Sequence, residues 1–206
     1  MSEFGPVDGR VARRERNIQQ VLDVVLEMFG EESLFPTIEQ AAKRSGLSAR
    51  SLYRYFADQG EMVDAAIELN RRRGEGLARL PAIGQGPLAR RVDDFAAMRV
   101  RLYERLGAVY QATLHHAPQN PTVRDRLLET RQELRRQFET QFAPELAARK
   151  GPGRDAVLAA GDVLSQLDSI GLLRRYRQLS VAEATDVLRS GLMALLAPDR
   201  PDQGAP

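Results

Sequence analysis

The sequence predicts an all-α chain of two helical domains. Three observations carry that reading. Apolar residues recur at helical spacing along most of the 206 residues, and no segment shows a strand pattern. Residues 37–56, TIEQAAKRSGLSARSLYRYF, have the spacing of two short helices joined by a tight turn. Clusters of Gly and Pro at 80–87 (LPAIGQGP), 117–121 (APQNP) and 150–153 (KGPG) cut the remainder into helix-length pieces.

The first helix carries Ile18, Val21, Leu22, Val25, Met28 and Phe29 on one stripe. Thr37 is placed to cap the next helix, with Gln40 three residues on to complete a capping box. Ala42 sits where this helix must touch the one after it, and a larger side chain would hold the two apart. Gly46 falls where the turn needs positive φ, which Gly adopts cheaply. Ser48 can cap the helix after the turn, and Leu47 and Leu52 plug the angle between the pair. At about 100° per residue, Leu52 and Phe56 point inward. Arg50, Ser51, Tyr53 and Arg54 fan across the opposite side, with Tyr55 on the boundary. Arg can donate two hydrogen bonds to guanine O6 and N7, and Tyr and Ser hydroxyls can bind phosphate, so the face suits double-stranded DNA. A further helix opens at Asp58, with Glu61 three residues on, and carries Met62, Ala65, Ala66 and Leu69 to about Arg73.

From about Ile18 to Leu69 the chain resembles the DNA-binding domain of the TetR family of transcriptional regulators. The most specific part is the Gly46 turn with Leu52, Tyr53, Tyr55 and Phe56. The resemblance covers roughly the first third of the chain. It implies a phosphate contact for Thr37, base contacts for Ala49, Arg50, Ser51 and Arg54, and phosphate contacts for Tyr53 and Tyr55; Ser48 completes the candidate DNA-binding set. In one place the chain departs from the family pattern. Where many members carry a Lys that meets backbone phosphate, this sequence has Gln59, beside the anionic Asp58.

Net charge is only +2, which excludes a protein that coats DNA by bulk charge. The positive charge is local. Residues 43–54 hold Lys43, Arg44, Arg50 and Arg54 with no acid, and Arg10, Arg13, Arg14 and Arg16 form either a DNA-seeking arm or a flexible soluble end.

The second half reads as helices over about Leu88–His115, Thr122–Phe142, Asp155–Tyr176 and, after a Ser180–Glu183 capping box, to about Ala197. Phe95, Met98, Tyr103, Tyr110 and Phe138 are its candidate ligand-contacting residues, with Phe142 nearby in sequence. The last two helices are apolar on more than one face. They lie either deep in the core of one chain or in an interface with a second copy; the resemblance implies the second, a four-helix bundle with the same pair from a partner, and Leu164, Leu167, Gly171, Leu188, Leu192 and Leu195 are the residues expected there. The expected boundaries are 1–72 for the arm and DNA-binding domain, 73–197 for the ligand-binding and dimerisation domain, and 198–206 for a disordered tail.

Enzyme readings fare poorly. His115 and His116 are adjacent on a helix, about 100° apart, and cannot converge on one metal. No nucleophile elbow or phosphate-binding loop is present in the sequence, and Gly151-Pro152-Gly153-Arg154 lacks the required spacing. Cysteine is absent, which excludes disulfides and thiolate chemistry. No apolar run has the length of a membrane span and the first thirty residues do not form a signal peptide, so a cytoplasmic location is expected. The expectation is a homodimeric repressor, a three-helix DNA-binding domain followed by a helical effector domain. It would be released from a palindromic operator by a small, mostly apolar ligand, with no catalytic residue, metal, cofactor or membrane partner. Two alternatives stand beside it: a helical protein–protein interaction module, and a constitutive DNA binder with no ligand.

Overall fold

The computed structural model describes residues 9–32 and 35–197; the expected tail at 198–206 lies outside them. Ten α-helices and one π-helical turn make up these residues, and none of them is in a strand. They divide into two compact units. The first takes in the described residues up to Arg73 together with Ala108–Arg124. The second takes in Gly74–Gly107 and the described residues from Asp125 onward. The expected boundary at 72/73 assigned 108–124 to the second domain, and the contacts of those residues place them with the first.

In the first unit, α1 (Gly9–Glu32) buries Val21, Leu22, Val25 and Phe29, the stripe read from its spacing. Residues 10–16 are the opening turns of this helix, so the arginines there sit on a helix and not on an extended arm. Thr37 caps α2 (Ile38–Ser45): its side chain accepts from the Gln40 amide, and the Gln40 side chain accepts from the Thr37 amide at 2.7 Å. The helix ends at Gly46, φ 72°, where a Cβ would be strained. Ser48 caps α3 (Ala49–Tyr53) by accepting from the Ser51 amide. The Asp58 carboxylate accepts from the Glu61 amide at 2.9 Å at the start of α4 (Gln59–Glu75). These helices close over one core of Ile38, Ala41, Ala42, Leu52, Phe56, Met62, Val63 and Ala66 with the α1 stripe.

The end of α5 (Leu88–His116) belongs to the same core through Val109 and Ala112. Its last residue does more than fill space. The Phe35 amide donates to His116 Nε2 at 3.0 Å, and the two rings stack with centroids 3.9 Å apart and an interplanar angle of 13°. The segment leading from α1 into α2 is thus tied to a residue some 80 positions later in the chain.

The second unit is built from the rest of α5, from α6 (Pro121–Gln141), and from α7 (Ala143–Ala147), α8 (Gly151–Ser165), α9 (Leu167–Gly171) and α10 (Val181–Leu196). Two expected helices differ from the sequence reading. The break expected at KGPG falls between α7 and α8, with Lys150 extended, but the helix after it opens earlier than Asp155: Gly151 at φ 52° and Pro152 start α8, because Pro is preorganised for the first helical turn. The single helix expected over 155–176 is broken at Gln166, whose ψ of 153° is extended, and continues as α9 and a π-helical turn over Leu172–Tyr176. Gln166 is held there by donating to the Arg131 carbonyl at 3.3 Å and to Asp162 at 2.5 Å. Ser180 and Glu183 form the expected capping box of α10. α8 and α10 pack closely at Gly191, where a Cβ would come within 2.9 Å of Leu164. Arg91, almost wholly buried, pairs with Glu145 and donates to the Gln141 carbonyl at 2.9 Å, fixing the start of α5 against α7.

Candidate nucleic-acid interface

The helix-turn-helix presents its polar side chains outward because its apolar ones are spent on the core. Leu52 and Phe56 are buried. Thr37, Ser48, Arg50, Tyr53 and Arg54 are exposed, and Ala49, Ser51 and Tyr55 are half-buried. The structure therefore brings the whole expected set onto one stretch running from the start of α2 through α3. α3 is shorter than its sequence pattern suggests. Its last helical residue is Tyr53, and Arg54 closes it, donating its amide to the Leu52 and Ser51 carbonyls. Arg54 thus reaches out from a turn.

Several partners of these residues could not be read from spacing. The Tyr53 hydroxyl donates to Glu39 Oε1 at 2.9 Å, which raises the phenol pKa and helps hold the Glu39 carboxyl below its ordinary value. The first cause of the Glu39 shift is a hydrogen bond to its own backbone amide at the start of α2. The Tyr55 hydroxyl accepts from Asn17 Nδ2 at 3.1 Å. The guanidinium groups of Arg14 and Arg54 lie 5.6 Å and 5.7 Å from the Tyr55 ring centre, within cation–π range. The Asn17 hydrogen bond, then Arg54, then the charge of Arg14 lower the Tyr55 pKa against the opposing effect of burial. Ser48 and Ser51 hydroxyls are 2.9 Å apart. Arg44 is bound to Glu31 of α1, whereas Lys43 and Arg50 have no intramolecular partner among the described residues. Gln59 donates to the Phe35 carbonyl at 3.3 Å, a contact within the fold at the place where the sequence departs from the family pattern.

The other expected sites are placed differently. Phe95, Met98, Tyr103 and Phe138 are all buried in the second unit, while Tyr110 falls in the first. Phe95, Phe138 and Phe142 form a ring cluster, with centroids 5.0–6.0 Å apart. At its edge lies a residue that the sequence reading passed over. Arg99 is fully buried, with its guanidinium 4.7 Å from the Phe95 ring centre. Its signal was available: Arg99 stands four residues after Phe95, on the inward stripe of α5. Of the expected dimer residues, Leu167, Gly171, Leu188 and Leu192 are covered by the chain itself, and only Leu164 and Leu195 are half-exposed. Those four residues pack within one copy. Val163, Leu172, Tyr176, Val181 and Val187 are the exposed large apolar side chains on these helices.

Among the described residues no group of His, Asp and Glu has the arrangement of a metal site, and no single helix is long and apolar enough to cross a membrane. No family model matches the chain. Solved structures do. A TetR-family transcriptional regulator from Streptomyces coelicolor is similar over 88% of this chain and 80% of its own, with 22% identity and a TM-score of 0.68. A transcriptional regulator of the TerR/AcrR family from Aquifex aeolicus is similar over 87% and 99%, with 17% identity and a TM-score of 0.63. A TetR-like regulator from Rhodococcus sp. is similar over 88% and 97%, with 18% identity and a TM-score of 0.58. The likeness spans nearly nine-tenths of this chain at low identity, and this chain has the fold of the TetR-family transcriptional regulators.

Proposed function

We propose that the chain is a TetR-family transcriptional regulator that binds a palindromic double-stranded operator as a homodimer. In this reading it acts as a cytoplasmic repressor released by a small ligand in its second unit, and it performs no catalysis. The observation that carries the reading is the outward face of α3: Arg50 exposed and uncommitted, with Arg54 and Tyr53 exposed beside it. A fold needs none of these groups at those positions, and together they match the donors that read guanine and hold phosphate. Ala49 and Ser51 sit at the same end, small enough to let the helix approach base edges. Thr37, Ser48, Tyr53 and Tyr55 supply hydroxyls for the backbone. Tyr53 must leave Glu39 to donate to a phosphate, an exchange that is cheap for an exposed hydrogen bond.

For the second copy, the half-exposed Leu164 and Leu195 with exposed Val163 and Val187 offer the surface on α8 and α10. The test of the function is selection of bound duplexes from a random pool by the full chain. The expected outcome is enrichment of an inverted repeat with half-sites about one helical turn, roughly 10 base pairs, apart. Recovery of no sequence above background would overturn the reading in favour of a helical interaction module.

A further inference from the structure

Among the described residues, two buried side-chain atoms have no hydrogen-bond partner: Arg99 Nε and Gln166 Oε1. Both are in the second unit. The Arg99 guanidinium is satisfied only in part, and only by neutral acceptors. Nη1 donates to Gln137 Oε1 at 2.7 Å and Nη2 to the Leu134 carbonyl at 2.6 Å. No carboxylate among the described residues pairs with it. The two acids whose fields reach it are engaged elsewhere: Asp162 accepts from Gln166, and Glu133 is paired with Arg136 at 2.5 Å. Burial depresses the Arg99 pKa to about 9, against the opposing pull of those acids, so the group remains cationic at neutral pH.

A cation taken out of water with no carboxylate in direct contact is costly, and an apolar side chain would fill the same place on the stripe. The surroundings define what would complete it. One Nε–H donor is vacant, no carboxylate among the described residues is in ion-pair contact with the guanidinium, and the ring of Phe95, packed on Phe138 and Phe142, borders the site. Asp162 and Glu133 oppose a dianion. We propose that Arg99 anchors an organic monocarboxylate with an aromatic or alkyl body, its carboxylate on the guanidinium and its body against the cluster of those three rings. This deepens the effector reading given above and rests on it, replacing a purely apolar ligand by an amphiphilic acid. The Phe138 ring lies directly on the α8 backbone at Gly161, where a Cβ would be 2.0 Å from Cζ. A ligand body entering beside that ring therefore bears on α8.

The experiment is calorimetric titration of the full chain, without DNA, with matched pairs: benzoate and benzamide, octanoate and octanamide. The expected result is that an acid binds at least about tenfold more tightly than its amide, and that Arg99→Met abolishes this preference without lowering the melting temperature. A merely structural arginine would instead lower the melting temperature when replaced. If Arg99→Met does not fold, Arg99→Gln and the wild-type acid-to-amide ratio decide. Equal binding of acid and amide, no binding of any of the four, or an acid preference that survives loss of the charge would each overturn the proposal. DNA selection fails or succeeds without any ligand, so failure of the regulator reading and failure of the carboxylate site are separate results.

Discussion

Arg50 and Arg54 differ in how they are held, and that difference is testable. Arg50 projects from α3 with no intramolecular partner among the described residues, while Arg54 leaves the turn and lies near the Tyr55 ring. Arg50→Ala is expected to cost about 1–3 kcal/mol on the selected operator and to relax base preference at one position. Arg54→Ala should cost a similar amount. Tyr53→Phe should weaken operator and random DNA alike, because a phosphate contact carries no sequence information. Titrations on both DNAs check all three; equal losses for the arginines would assign them to the backbone. His116 makes a different prediction. Its Nε2 must be unprotonated to accept from Phe35, and burial, aided by the charge of His115, lowers its pKa below the ordinary 6.5. The unfolded chain therefore binds a proton more readily than the folded one. Stability should be full above about pH 6.5 and fall as pH drops through 6.5 toward the lower folded value, with no further loss below it. Denaturation midpoints between pH 8 and 5 measure this, and His116→Gln should flatten the slope.

At the scale of elements, local chemistry was legible and distant chemistry was not. Thr37, Gly46, Ser48, Asp58 and Ser180 all declare themselves within four residues, and each does in the structure what its spacing implies. Gly46→Ala is expected to cost about 1–2 kcal/mol, since its φ of 72° strains any Cβ in otherwise open space. A thermal melt reads that loss directly, and an unchanged midpoint would show the turn to be pliable. The break at Gln166 escaped the sequence because one of the two contacts that hold it lies 35 residues away, at the Arg131 carbonyl, and the other, to Asp162, is at a spacing that an unbroken helix also offers. Arg99 escaped for a related reason. Periodicity registers where apolar residues fall and passes over a lone cation in their midst. The partners of Tyr53 and Tyr55, Glu39 and Asn17, come from other helices and have no signature along the chain.

For the whole molecule, burial separates two kinds of α10 residue. Leu192 is fully covered within one copy, so Leu192→Asp should unfold the chain, at a cost of about 3–5 kcal/mol for an unpaired buried charge. Val187 is 43% exposed, so Val187→Asp should keep the fold and, if α8 and α10 meet a second copy, yield a monomer. Sedimentation velocity with far-ultraviolet circular dichroism distinguishes the two outcomes; a Val187→Asp protein that still sediments as a dimer would move the interface to another face.

The first unit is also a matter of timing. Its core and its Phe35 tie draw on Val109, Ala112 and His116, so a ribosome that has delivered Arg73 has not yet delivered what that unit requires. Some fifty residues must follow before Arg124 is made, which at about 5–20 residues per second leaves a gap of roughly 3–10 s. During that interval the nascent chain holds an incomplete module with Phe35 unstacked. Nascent chains stalled after residue 73 should be cut readily by protease, and those stalled far enough past Arg124 to clear the exit tunnel should resist.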